Sequence, residues 1–231
     1  MAQDGTPRLR TVVTVQHATL SWLREQLATG RLKPGDQVRQ EVLAREFGVS
    51  VPPMREALKT LEAEGQLVYH PHRGYFVASM SYEELAETYR IRQLLETEAI
   101  TRSVPLLGAE EVARMREAAQ VMEHSHGTAD VRAIAEANRV FHFTLFDAAA
   151  MPRMADMIRV LWGSTDRYRA RYFSTAEHRR RVNREHRQIL AAAGQGDAAL
   201  VAELSHQHRT HSLDALARAL EDSTDRSAAC G

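Results

Sequence analysis

The stretch GVSVPPMREALKTLEAEG, residues 48–65, sets two prolines directly ahead of a helix-forming run. Proline breaks a helix interior, but in the first turn its missing N–H is one that no intrahelical carbonyl would use, and its fixed φ suits the start. Ser50 stands where an N-cap would stand. An N-cap hydroxyl normally accepts from the second or third helical N–H. Those positions are Pro52 and Pro53, so ring geometry and not a cap bond stiffens this start. Met54, Leu58 and Leu61 then fall on one face of the helix, and Gly48 is free to take the positive φ of a tight turn. An exposed, rigid first turn suits a helix that must be aimed at a DNA groove; the plainer reading is a helix that only packs.

Working outward, a helix over 14–29 carries Leu20, Leu23 and Leu27, LKPGD is a turn, and a short helix over 40–47 carries Leu43 and Phe47. QLVYH (66–70) and GYFVAS (74–79) read as strands joined by PHR. Helix, helix, turn, helix, strand, strand is a winged helix-turn-helix, assigned to residues 1–79. Such units also occur as interaction modules. The candidate DNA contacts are Ser50, Arg55 and Lys59 at the start of the third helix, and His72, Arg73 and Gly74 at the wing tip. An arginine can grip a guanine edge with two bonds or clamp a phosphate; the plainer reading of each of these charges alone is a solvated surface group, and it is their convergence on one motif that points to DNA. One unit with so few contacts binds weakly, so two copies on a palindrome are expected.

The texture changes near residue 80. Long helical runs with few breakers follow, over 81–103, 109–126, 129–149, 152–173, 175–193 and 197–221. The expected architecture is therefore mostly α: the winged module, then an all-helical antiparallel bundle of about six helices over 80–231. Thirty Lys/Arg balance thirty Asp/Glu, so any DNA-binding claim rests on motif and placement, not on bulk charge. The single cysteine, Cys230, excludes an intrachain disulfide framework. No apolar run reaches the roughly 18 residues of a membrane span, and the N-terminus has no signal-peptide pattern. A cytoplasmic location is expected.

Three bundle helices aim a histidine inward. At about 100° per residue, Ile134, Asn138, Phe141, His142 and Leu145 form one apolar stripe. Val182, His186, Ile189, Leu190 and Ala193 form a second, and Val201, Leu204, His208 and Ala215 a third. His206, opposite His208, is expected in solvent. A single core histidine is usually just hydrogen-bonded. Three imidazoles with an oxygen ligand suit a divalent transition metal such as zinc, and open coordination positions would admit water or a carboxylate.

The N-terminal residues Pro34-Gly35, Leu43-Ala44, Gly48-Val49-Ser50, Pro53, Arg55-Glu56-Ala57-Leu58, Leu61, Gly65 and Arg73-Gly74 together resemble the GntR family of bacterial transcription regulators. That family usually carries an arginine after the turn serine and then a small polar residue; Val51 and Pro52 depart from this, so one expected DNA contact is missing. YRIRQLLE (89–96), NRVFH (138–142), REHRQIL (184–190) and the later GD and His208 are similar to the FCD effector domain of the FadR-like subgroup. The resemblance implies a metal (zinc, with nickel as the alternative) held by Asn138, His142, His186 and His208, where aspartate is commoner than Asn138. It also implies a small organic acid as effector. Arg92 is a candidate carboxylate clamp, or else the partner of Glu96 in an i,i+4 salt bridge. HRRRVNR (178–184) reads as a solvated basic face.

The function expected is a ligand-responsive transcription regulator binding double-stranded operator DNA as a homodimer. The rivals are a metal-dependent hydrolase with an appended helix-turn-helix and a pure interaction module. No HExxH occurs to supply a hydrolase base, and Glu185 points about 100° away from His186.

Overall fold

A computed structural model of the chain describes residues 15–128, 130–173 and 175–228; Thr14 and Cys230 lie outside them. The N-terminal module runs α1 (Val15–Ala28), β1 (Gln37–Val38), α2 (Gln40–Phe47), α3 (Val51–Ala63), β2 (Leu67–His70) and β3 (Gly74–Val77). Met54, Leu58 and Leu61 of α3 are fully buried, against Leu23, Leu27 and Leu43 of the two preceding helices. Ser50 has extended backbone and makes no side-chain cap bond, with proline in the first turn of α3, as the amide-free start requires. Gly48 takes φ 76° and donates its N–H to the end of α2, which closes the turn between α2 and α3.

β2 and β3 pair antiparallel, with Tyr69 opposite Tyr75 and His70 opposite Gly74. The sequence reading has two strands; the structure adds a third, with order β1-β3-β2. β1 is two residues long, too short for an alternation signal. Two backbone bonds just ahead of it seat it: the Gly35 N–H donates to the Val77 carbonyl, and the Val77 N–H donates to that of Asp36, both at 2.9 Å.

The second core belongs to six helices: α4 (Tyr82–Ser103), α5 (Ala109–Thr128), α6 (Val131–Asp147), α7 (Pro152–Phe173), α8 (Ala176–Gly194) and α9 (Ala198–Ala228). A short 3-10 turn, Val104–Leu106, lies between α4 and α5. Ser81 starts α4 with a capping box: its hydroxyl accepts from the Glu84 N–H, and the Glu84 carboxylate accepts from the Ser81 N–H. α9 continues past the expected end at 221, because neither Gly nor Pro interrupts residues 198–228. No helix among the described residues is long and apolar enough to cross a membrane.

The two cores meet along α1, α6 and α7. Glu25 of α1 pairs with Arg132 of α6 at 2.7 Å. On α7, a Cβ placed on Gly163 would sit 3.3 Å from Gln66 Nε2, and one placed on Gly65 would sit 3.9 Å from Ser164 Cβ. Gln66 itself is buried, immediately ahead of β2.

Candidate effector cavity and nucleic-acid interface

Arg55 and Lys59 are exposed on α3, four residues apart and on one face. Lys59 pairs with Glu56 at 3.0 Å, a contact it must give up to reach a phosphate. Ser50 is exposed at the helix start, and His72 and Arg73 are exposed in the hairpin turn. His72 has φ 64° and Gly74 φ 84°, so the tip turns through two left-handed positions. The Arg73 guanidinium lies over the Phe76 ring at 5.1 Å, and its carbonyl accepts from Gln37 Nε2 at 2.8 Å. The third strand thus steadies the wing tip from the side.

In the bundle, α6, α8 and α9 deliver His142, His186 and His208 to one place. All three are buried, and a ring nitrogen from each lies within 4.8 Å of the others. His142 Nε2 and His186 Nε2 are 3.0 Å apart. Two nitrogens bound to one zinc at 2.0–2.1 Å in a tetrahedron lie roughly 3.3 Å apart, so the spacing fits a shared ion. Burial, then the neighbouring His208, holds the His186 imidazole well below its ordinary pKa. It is therefore neutral at pH 7, the form that donates to a metal. Asn138 lies one turn before His142, buried, and its Oδ1 has no hydrogen-bond partner among the described residues. The donor set (three imidazoles and an amide oxygen) fits a divalent transition metal.

A cavity of about 20 Å³ adjoins the cluster, lined by Asn138, His142, His208, Arg92, Glu96, Trp162 and Arg209 among others. That is room for about one water. Arg92 satisfies its plainer reading: its Nε donates to Glu96 Oε1 at 2.8 Å in a buried ion pair. Yet among the described residues Arg92 Nη1 has no hydrogen-bond partner, and neither do Nε and Nη2 of Arg209. Glu96 also accepts from Trp162 Nε1 at 2.7 Å and from Arg209 Nη1. Burial works against the charge on Glu96, but Arg92 and Arg209 outweigh it and hold the carboxyl below its usual range. Two guanidiniums thus share one carboxylate and leave donors over. The Arg92 guanidinium is sandwiched near Trp162 at 4.4 Å and Tyr89 at 4.9 Å.

Sequence reasoning missed Glu96 as a hub, Trp162, Arg209 and the pairing of Glu185. Arg209 directly follows His208 in HQHRTH, the one local signal that a second charged group enters this cavity. Glu185 does point away from His186, but toward α9: its Oε2 is 2.7 Å from His208 Nδ1 and its Oε1 is 2.7 Å from His211 Nδ1. His206 departs from expectation. It is half-buried with Nδ1 enclosed, because α9 packs against α4, α7 and α8 and not along a single face. The basic run is also not wholly solvated: Arg179 is buried and donates to the Phe173 carbonyl at 2.8 Å.

Residues 19–77 match the bacterial regulatory proteins of the gntR family, and residues 87–211 match the FCD domain. The chain is 30% identical to the HTH-type transcriptional regulator McbR of Escherichia coli (strain K12) over 174 residues, 74% of this chain and 78% of that protein. It is 27% identical to the HTH-type regulator YdhC of Bacillus subtilis (strain 168) over 203 residues, 87% and 90% of the two chains. Among solved structures, E. coli McbR/YncC superposes with TM-score 0.80 at 24% identity, over 90% of this chain and 99% of that one. A GntR regulator from Rhodococcus sp. RHA1 follows at TM-score 0.74 and 18% identity, over 87% and 96%. The matched families and relatives are transcriptional regulators, not enzymes, which sets the hydrolase reading aside. This chain belongs to the GntR family of bacterial transcription regulators, with a helix-turn-helix module joined to an FCD domain.

Proposed function

We propose that the protein is a FadR-type, ligand-responsive regulator that binds operator DNA as a homodimer and senses a small carboxylate in the cavity of its helical domain, in the cytoplasm. Residues 1–79 form the reading domain and 80–231 the sensing domain. The observation that carries this reading is the buried excess of cationic donors: among the described residues, Arg92 Nη1, Arg209 Nε and Nη2 and the Asn138 oxygen have no hydrogen-bond partner, beside three histidines. Unpaired buried donors of this kind are costly unless an anion answers them. His142, His186, His208 and Asn138 would hold a divalent metal, which when bound supplies a Lewis-acidic centre for a carboxylate oxygen. Arg92 and Arg209 would orient the same carboxylate, and Trp162 and Tyr89 would exclude water from it.

A cavity of about 20 Å³ is far below the roughly 300 Å³ or more of a pocket that takes an organic ligand. The effector must therefore select or create a more open bundle, and only its difference in affinity between the two forms can alter DNA binding. Metal analysis of the purified protein, paired with His142→Ala, tests the site. The variant is expected to lose at least the about 10–100-fold in affinity that removing an outer-shell partner costs; a wild type without metal, and a variant that keeps its effector response, would end the metal reading.

On the DNA side, Ser50, Arg55, Lys59, His72, Arg73 and Gly74 are the proposed contacts. Arg55→Ala is expected to weaken operator binding by about 1–3 kcal/mol and to relax selectivity at one base position. Fluorescence anisotropy on operator and scrambled duplexes checks this, and equal loss on both would make Arg55 a phosphate clamp.

A further inference from the structure

Glu185 precedes His186 on α8 and spends both carboxylate oxygens on α9. One lies 2.7 Å from His208 Nδ1 and the other 2.7 Å from His211 Nδ1. A carboxylate oxygen only accepts, so each Nδ1 carries the hydrogen. Nε2 is then the ring nitrogen of His208 left to face the cluster with His142 and His186. Glu185 is buried, whereas the side chain of His211 is 44% exposed. The second bond fixes the plane of the carboxylate from the solvent side.

The charges around the donor set define what this contact does. Three imidazoles and the Asn138 amide bring no negative charge to a divalent ion. The Glu96 carboxylate is already shared between Arg92 and Arg209. Glu185 brings a carboxylate into direct hydrogen-bond contact with a member of the set. We propose that Glu185 is a positioning residue of the metal site, locking His208 in its Nδ1–H form and delivering through that ring the negative charge that Asn138 does not provide. This rests on the metal reading above. A carboxylate behind a ligating imidazole fixes its tautomer and raises its basicity, and such outer partners are typically worth about 10–100-fold in metal affinity.

The test uses full-length protein stripped of metal and titrated with zinc against a chromophoric chelator. Glu185→Gln is expected to weaken zinc binding by about 10–100-fold, and His211→Ala by less. Asn138→Asp is expected to strengthen binding more in the Glu185→Gln background than in the wild type, because the charge it adds is then the one missing. Simple additivity of the two changes would reduce Glu185 to a packing role and overturn the proposal. An independent readout needs no variant: 15N NMR of the metal-free wild type should find His208 protonated at Nδ1, and an Nε2–H form refutes the lock even if Glu185→Gln fails to fold. Zinc uptake by the wild type with unchanged affinity in Glu185→Gln sinks this inference alone; no zinc uptake by the wild type sinks it together with the metal site.

Discussion

Glu96→Ala is expected to destabilise the protein by about 3–5 kcal/mol, the cost of removing one partner from a buried charge network. Glu96 is only 2% exposed and accepts from Arg92, Arg209 and Trp162. Its loss takes their shared acceptor away from two guanidiniums and an indole N–H enclosed by the bundle. For a chain of this size the melting temperature should fall by about 6–20 °C, read by circular dichroism. Acetate at high concentration should recover part of the loss by supplying a carboxylate to the same donors. Acidity provides a sign check on Glu96→Gln. The Glu96 carboxyl is held below its ordinary 4.5, so the unfolded chain takes up the proton first as the pH drops. The advantage of the wild type over Glu96→Gln is complete above about pH 4.5 and shrinks below it. A variant as stable as the wild type at neutral pH would mean the network contributes nothing.

The second large effect concerns salt. If Arg55, Lys59 and Arg73 each neutralise a phosphate in both halves of a dimer, six counterions are released on binding. The salt slope is then about −5, and affinity drops roughly a thousandfold between 50 and 200 mM salt. Lys59 must leave Glu56 to take part, which makes it the contact most open to loss. Lys59→Ala should lower the slope by about 2 in the dimer. Anisotropy titrations across this salt range measure both quantities. A flat response would refute a phosphate-gripping reading head.

Most of the fold was legible because its signals are local. Pro52 and Pro53 mark the start of α3, Gly48 marks the turn before it, and the stripes carrying His142, His186 and His208 give the inward faces of three helices. Each is set by φ restrictions or by a 3.6-residue period, and neither needs tertiary knowledge. What escaped was set by neighbours in space. β1 exists because Gln37 and Val38 meet β3, not because two residues prefer a strand. Trp162 and Arg209 reach the cavity from helices 66 and 113 residues beyond Glu96, and helical period alone cannot say which helix lies opposite which. His206 misleads for the same reason: the period identifies the face opposite His208, but not that α9 has neighbours on several sides.

Helix α7 is a party wall. One residue, Trp162, lines the cavity beside the histidines, while the next, Gly163, lies against Gln66 of the winged module, so the two sides are a single peptide unit apart. If an effector enlarges that cavity as proposed and displaces the indole, a shift at Gln66 on the far side of the wall is the expected consequence. The bare hydrogen at position 163 is what leaves room for the Gln66 amide, which a Cβ there would crowd at 3.3 Å.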